Sequence, residues 1–223
     1  METKLNTFAP VHHEPAPLRN KIIGALRGAI ETGALTPGTR VVEKDLCQQL
    51  DVSRTSLREA LRQLQAEGLL VEVGNRGLAV VQISRQKAEN IYRIRALLES
   101  LVVDQFIDNA TAQDRKELEE KSRDLIAAYK AGKADDIIAT KRVFYEHICR
   151  GAHNTVALDI LNNLTLLTSS LRRRSVERGV RQKQSVEEIG MLVKAILAGN
   201  KKDARRVAEL HVANSASSAL DGD

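Results

Sequence analysis

Tryptophan is absent from this 223-residue sequence, and phenylalanine and tyrosine occur only three times each. A chain so poor in aromatic rings must build its core from Leu, Ile, Val and Ala, which favours packed helices over a sandwich or barrel. Only two cysteines are present, Cys47 and Cys149, and they are far apart. That excludes a disulfide framework and agrees with a reducing, cytoplasmic setting. Both lie in apolar helical patterns and read as buried thiols. No apolar run approaches the ~18 residues of a membrane span. The opening residues METKLNTFAP lack the apolar stretch of a secretion signal. No Gly-rich phosphate loop, nucleophile elbow or metal-hydrolase spacing occurs, so the sequence reads as a non-enzyme.

What is present has the balance of a globular chain, with 43% hydrophobic and 28% charged residues. The net charge of +5 permits nucleic-acid binding. Most of the basic excess falls after residue 83, however, so bulk charge does not locate a DNA site. Local placement has to do that.

Pro10, Pro15 and Pro17 crowd the start of the chain, and residues 1–16 show no periodicity; they read as a mobile arm. From Leu18 to Thr32 the apolar residues Leu18, Ile22, Leu26 and Ile30 follow the helical period, and Gly33 closes it. A turn at 35–39 leads to a short helix over 44–50. Ser53 is placed to cap a further helix over 54–66, with Leu57, Ala60, Leu61 and Leu64 inward. Apolar runs at 69–73 and 78–82 flank Gly74-Asn75-Arg76-Gly77, a hairpin signal. After Ser84 the helical period continues, predicting helices over 85–109, 112–131, 133–151, 155–174, 185–198 and 201–219. The domain boundary is placed near residue 83, giving units 17–83 and 84–223.

Short helix, tight turn, second helix and hairpin form a helix-turn-helix with a wing. In such a unit the N-terminal residues of the second helix meet base edges in the major groove. Here these are Ser53, Arg54, Thr55, Ser56 and Arg58. Arginine pairs with guanine, while serine and threonine hydroxyls suit phosphate oxygens. Arg54, Arg58 and Arg62 share one face, opposite the leucines. The run GALTPGTRVVEKDLCQQLDVSRTSLREALRQLQAEGLLVEVGNRGLAV resembles the DNA-binding unit of the GntR superfamily, with Ser56 where many members carry proline. The resemblance assigns DNA contact to Lys44, to Arg54 and Arg58 of the reading helix with Thr55 and Ser56 beside them, and to Asn75, Arg76 and Gly77 at the wing tip.

The remainder resembles the FadR-like group of that superfamily, in IYRIRALLESLVVDQFIDNAT, VFYEHICRGAHNTVALDIL and LVKAILAGNKKDARRVAELHV. Many members of that group hold a divalent metal with one Asp and three His. The matching positions here are Lys141, Tyr145, Ile189 and His211, so only one ligand survives and no metal is expected. A register shift would bring His147 and Glu188 into play instead. The resemblance implies a small effector, an organic acid or acyl compound, lined by Arg95, Lys141, Tyr145, His211 and Asn214, with arginine pairing an anionic group. The basic run Arg172-Arg173-Arg174, with Arg178, Arg181 and Lys183, reads as a solvated helix end.

Together these readings give a mainly α chain: an N-terminal winged helix-turn-helix of three helices and a two-stranded wing, then an all-helical antiparallel bundle. The function they imply is a sequence-specific transcription repressor, a homodimer on a two-fold symmetric double-stranded DNA operator, governed by an effector in the bundle. The competing reading is a ligand-independent DNA regulator whose bundle serves dimerisation only.

Overall fold

The computed structural model describes residues 16–74 and 77–221. The arm expected over 1–16 lies outside the described residues except for Ala16, which begins the first helix.

Three helices and a small sheet form the N-terminal unit. They are α1 (Ala16–Thr32), α2 (Glu43–Leu50) and α3 (Arg54–Ala66), with strands β1 (Arg40–Val41), β2 (Leu70–Glu72) and β3 (Leu78–Val80). The sheet order is β1-β3-β2, all antiparallel, with Arg40 opposite Ala79 and Val71 also opposite Ala79 from the other side. A two-stranded wing was expected, and the extra strand is too short to leave a periodic trace. Ser53 caps α3, its hydroxyl accepting from the Ser56 backbone N–H at 3.2 Å. Ile22, Leu26 and Ile30 of α1 meet Leu57, Leu61 and Leu64 of α3 and Leu69, Leu70 and Val80 of the sheet in one core.

Seven helices follow: α4 (Arg85–Asn109), α5 (Ala112–Ala131), α6 (Ala134–Gly151), α7 (Thr155–Leu167), α8 (Ser169–Val176), α9 (Gly179–Leu197) and α10 (Lys201–Leu220). Side-chain caps start four of them, from Ser84, Thr111, Asn154 and Asn200. Thr111 and Asp114 close a full capping box, aspartate standing in for the usual glutamate. Phe106, Leu118, Leu125, Ile137, Phe144, Ile148, Ile189 and Leu192 fill the bundle core.

Two of the expected helices differ. The stretch 155–174 is broken at Thr168, whose hydroxyl bonds the Leu164 carbonyl at 3.0 Å. Three consecutive hydroxyl residues, 168–170, compete there with the helix's own ladder. Helix α9 begins at Gly179, six residues before the expected start at 185. The basic run expected to be a solvated helix end instead turns two of its arginines inward: Arg172 and Arg181 are both buried.

The units touch along α1, α7 and α8. Leu166 and Leu167 of α7 pack on the core of the N-terminal unit. The Asn163 amide donates to the Glu67 carbonyl at 3.2 Å. Arg172 of α8 pairs with Glu31 of α1 at 2.9 Å, with both side chains largely out of water.

Helix α6 ends against α4 with no room to spare. A Cβ added at Gly151 would stand 2.5 Å from Cε2 of Phe106. Phe106 is fully buried and cannot swing away. Gly151→Ala is therefore expected to destabilise the bundle by about 1–3 kcal/mol, read as a lower urea midpoint with an unchanged slope.

Candidate nucleic-acid interface and inter-domain cavity

Helix α3 has the two faces its sequence promised. Leu57, Ala60, Leu61 and Leu64 are buried, while Arg54, Thr55, Arg58 and Arg62 are exposed. Ser53 lies at the N-terminus of this helix, where free backbone N–H groups favour an anion. Its hydroxyl also donates to the Ser56 hydroxyl at 3.0 Å. Lys44 is exposed in the first turn of α2. Arg58 is held by Glu43 of α2, its Nε 2.9 Å from Oε2, a partner that spacing along the chain did not reveal. Between α3 and the wing runs a cleft of about 390 Å³, bordered by Arg58, Arg62, Glu72 and Gly77. Gly77 has φ +87, a conformation that only glycine adopts cheaply. Asn75 and Arg76, the other wing-tip candidates, lie outside the described residues.

A second cavity, of about 520 Å³, opens between the bundle and the N-terminal unit. Arg95 and Glu99 of α4, Lys141 and Tyr145 of α6 and Arg172 of α8 form its polar wall, and Arg27 and Glu31 of α1 close it from the other side. Arg95 grips one oxygen of Glu99 with Nε at 3.2 Å and a terminal nitrogen at 2.7 Å. Burial favours the protonated form of Glu99, but the charges of Arg95 and Lys141 outweigh it and hold the carboxyl below its usual range. The other Glu99 oxygen, Oε2, has no hydrogen-bond partner, and neither does the Tyr145 hydroxyl.

Three of the five expected effector residues, Arg95, Lys141 and Tyr145, thus share one wall. The other two, His211 and Asn214, are not among the residues lining it. They form a buried chain behind Lys141. The Lys141 ammonium reaches Nε2 of His211 at 2.7 Å, Nδ1 of His211 lies 2.6 Å from Glu188, and Asn214 donates to the second Glu188 oxygen at 2.7 Å. Arg181 completes the chain, 2.7 Å from Glu188. Burial, then the nearby Lys141 charge, push His211 down to about 4, so the neutral ring donates to Glu188 and accepts from Lys141. Burial likewise drives Lys141 down to about 7, Glu99 opposing and Arg95, Arg181 and Arg172 assisting.

The fallback ligand set does not assemble. His147 bonds the Asp114 carbonyl at 2.8 Å, away from the Glu188–His211 pair. Ile189 is a fully buried core residue. Sequence reasoning missed Glu99, Arg172 and Arg181 as parts of the site and named Glu188 only as a metal ligand in a shifted register. Only Glu99 had a local signal, four residues after Arg95 on one helix face. The others are brought in by packing.

A basic helix beside a wing, joined to a helical bundle around a polar cavity, is the architecture of a winged helix-turn-helix regulator with a ligand-type C-terminal domain. The family profile for gntR bacterial regulatory proteins matches residues 18–80, and that for the FCD domain matches residues 90–214. The chain belongs to this family: it is a GntR-type DNA-binding transcriptional regulator with an FCD effector-binding domain. It is 27% identical over 194 residues to the HTH-type transcriptional regulator YdhC of Bacillus subtilis, covering 86% of this chain and 87% of that one. It is 28% identical to the gluconate operon transcriptional repressor of the same species, over 73% of this chain and 66% of that one. The solved structure of Escherichia coli McbR/YncC superposes with a TM-score of 0.78 at 24% identity, over 89% of this chain and 95% of that one, and so shares the fold.

The network behind Lys141 has a measurable consequence. Burial favours protonated Glu188, but hydrogen bonds from His211 and Arg181 hold it at about 2, below its ordinary 4.5. Its contribution to stability is present above pH 4.5 and fades as pH falls towards 2. His211, depressed from 6.5 to about 4, makes the unfolded chain the better proton binder between those values. Stability should therefore fall continuously on acidification from about pH 6.5. Glu188→Gln leaves Arg181 without its carboxylate and should cost about 3–5 kcal/mol at neutral pH. It should also remove the part of the acid transition below pH 4.5. Melting temperatures of both proteins across pH 3–8 check this.

Proposed function

We propose that this chain is a homodimeric, effector-controlled transcription repressor that works in the cytoplasm without a resident metal. The observation that carries the reading is the cavity shared by both units: an occupant touches the bundle and α1 at once, so it acts directly on the element packed against the reading helix. A cavity of about 520 Å³ suits a small metabolite. Its arginines suit an anionic group, as in an organic acid. Repression is supported by the gluconate operon relative, a transcriptional repressor by name.

DNA binding rests on Lys44, Ser53, Arg54, Thr55, Ser56 and Arg58, with the wing alongside. Two reading helices related by a two-fold axis fit a symmetric operator. Pairing of two copies is supported by exposed apolar residues on two helices that pack side by side, Ile94, Leu97 and Leu101 of α4 and Val156 and Ile160 of α7. Leu97 is 66% exposed, unusual for a leucine in mid-helix.

The metal-free reading is supported by donor chemistry. Both ring nitrogens of His211 are engaged, one by the Lys141 ammonium. A divalent cation there would face a lysine and find no second imidazole, since Tyr145 and Ile189 hold the matching positions. These residues do not fit the group's metal.

Arg54→Ala should weaken operator binding by about five- to 150-fold, in line with about 1–3 kcal/mol for one base-reading arginine. Gel shifts at two salt concentrations check it, and unchanged affinity would remove Arg54 from the interface. Native mass spectrometry with elemental analysis should show a dimer carrying less than stoichiometric divalent metal. One ion per chain would overturn the metal-free reading. Leu97→Asp should shift that dimer to monomer.

A further inference from the structure

The cavity wall carries more than a cradle for an anion. Among its described lining residues five are basic and five acidic, so with Lys141 charged the lining is electrically balanced. A simple carboxylate would add an uncompensated negative charge beside Glu99 and Glu31, both already buried or half-buried. The unpartnered atoms on the wall are also of two kinds. Glu99 is 2% exposed, and its Oε2 meets no donor in good hydrogen-bond geometry; the Tyr145 hydroxyl is its neighbour and likewise meets no partner in good geometry. Arg172 is 6% exposed, and its Nε, with no partner of its own, asks for an acceptor. Leaving such groups unmatched in a buried site costs free energy that a ligand of the right polarity recovers.

We infer that the cavity takes a small zwitterion of the amino-acid class, its ammonium bound by Glu99 and the Tyr145 hydroxyl and its carboxylate bound by Arg172 and Lys141. This rests on the reading of the cavity as the effector site and narrows it. An ammonium supplies the charged donor that Oε2 of Glu99 lacks, and a carboxylate gives Nε of Arg172 the acceptor it lacks, so the ligand enters without upsetting the balance of the wall. The same carboxylate competes with Glu31 for Arg172, the ion pair that ties α8 to α1. Occupancy therefore loosens a link between the bundle and the DNA-binding unit.

The test is calorimetry on the full-length protein with the twenty standard L-amino acids, the carboxylic acid obtained from each by removing the amino group, and the amine obtained by removing the carboxyl. At least one amino acid should bind with a sub-millimolar dissociation constant, and both of its truncated counterparts should bind at least tenfold more weakly. Tyr145→Phe, which removes one buried hydroxyl and keeps the ring, should weaken the amino acid several-fold while leaving the deaminated acid unchanged. Glu99→Gln should do the same more strongly. If a deaminated acid binds as tightly as its parent, the zwitterion is overturned and the organic-acid effector stands. If no molecule of any of the three sets binds, the zwitterion and the effector role of this cavity fall together.

Discussion

Charges taken out of water inside a helical bundle have to be paired, and that constraint organises this protein's C-terminal half. A lone buried ion loses several kcal/mol of hydration, so each one recruits a partner. Arg95 takes Glu99, Arg181 takes Glu188, and Arg172 reaches outside the bundle for Glu31. Lys141 has no carboxylate in direct contact and leans on a neutral histidine instead. The chain from Lys141 through His211 and Glu188 to Arg181 ties α6, α10 and α9 together. Its orientation fixes the histidine tautomer and presents the lysine to the cavity.

From that frame follow both the position of the cavity and its chemistry. The polar cluster forms one wall of a space between the helices, which α1 closes from the other side. The site is thereby shared between the unit that contacts DNA and the unit that senses, with no separate hinge needed to connect them. Where α7 lays Leu166 and Leu167 on the N-terminal core, the contact is apolar and undirected; where Arg172 meets Glu31, it is ionic and sensitive to any competing anion. The second kind of contact is the one a small molecule can address. Local conformational response to a ligand requires a difference in contacts between two states, and this ion pair provides one.

At the DNA-facing end the logic is simpler. Helix α3 spends one face on leucine packing and turns the other, with Arg54, Arg58 and Arg62, to water. Glu43 holds Arg58 meanwhile, fixing a long side chain that would otherwise sample many rotamers. Exposed pairs of this sort contribute little stability, so its effect is on orientation.

The sequence by itself determined the elements, because caps, turns and hydrophobic periods are local. Ser53, Thr111 and the leucine spacing of α3 place helices that the structure reproduces to the residue at 54–66, 85–109 and 112–131. The resemblance to the FadR-like group also put Arg95, Lys141 and Tyr145 on one site. Tertiary structure alone decided which charges are buried. Arg172 and Arg181 sit in a run that any local rule assigns to solvent, and their partners lie 141 and seven residues away. His211 and Asn214 were drawn to the cavity by the same resemblance, yet packing turned them behind Lys141. The break at Thr168 and the early start of α9 belong to the same class. Local rules read the cost of fixing a backbone; they do not read the desolvation that a distant helix imposes, and that term is set only when the chain has closed on itself.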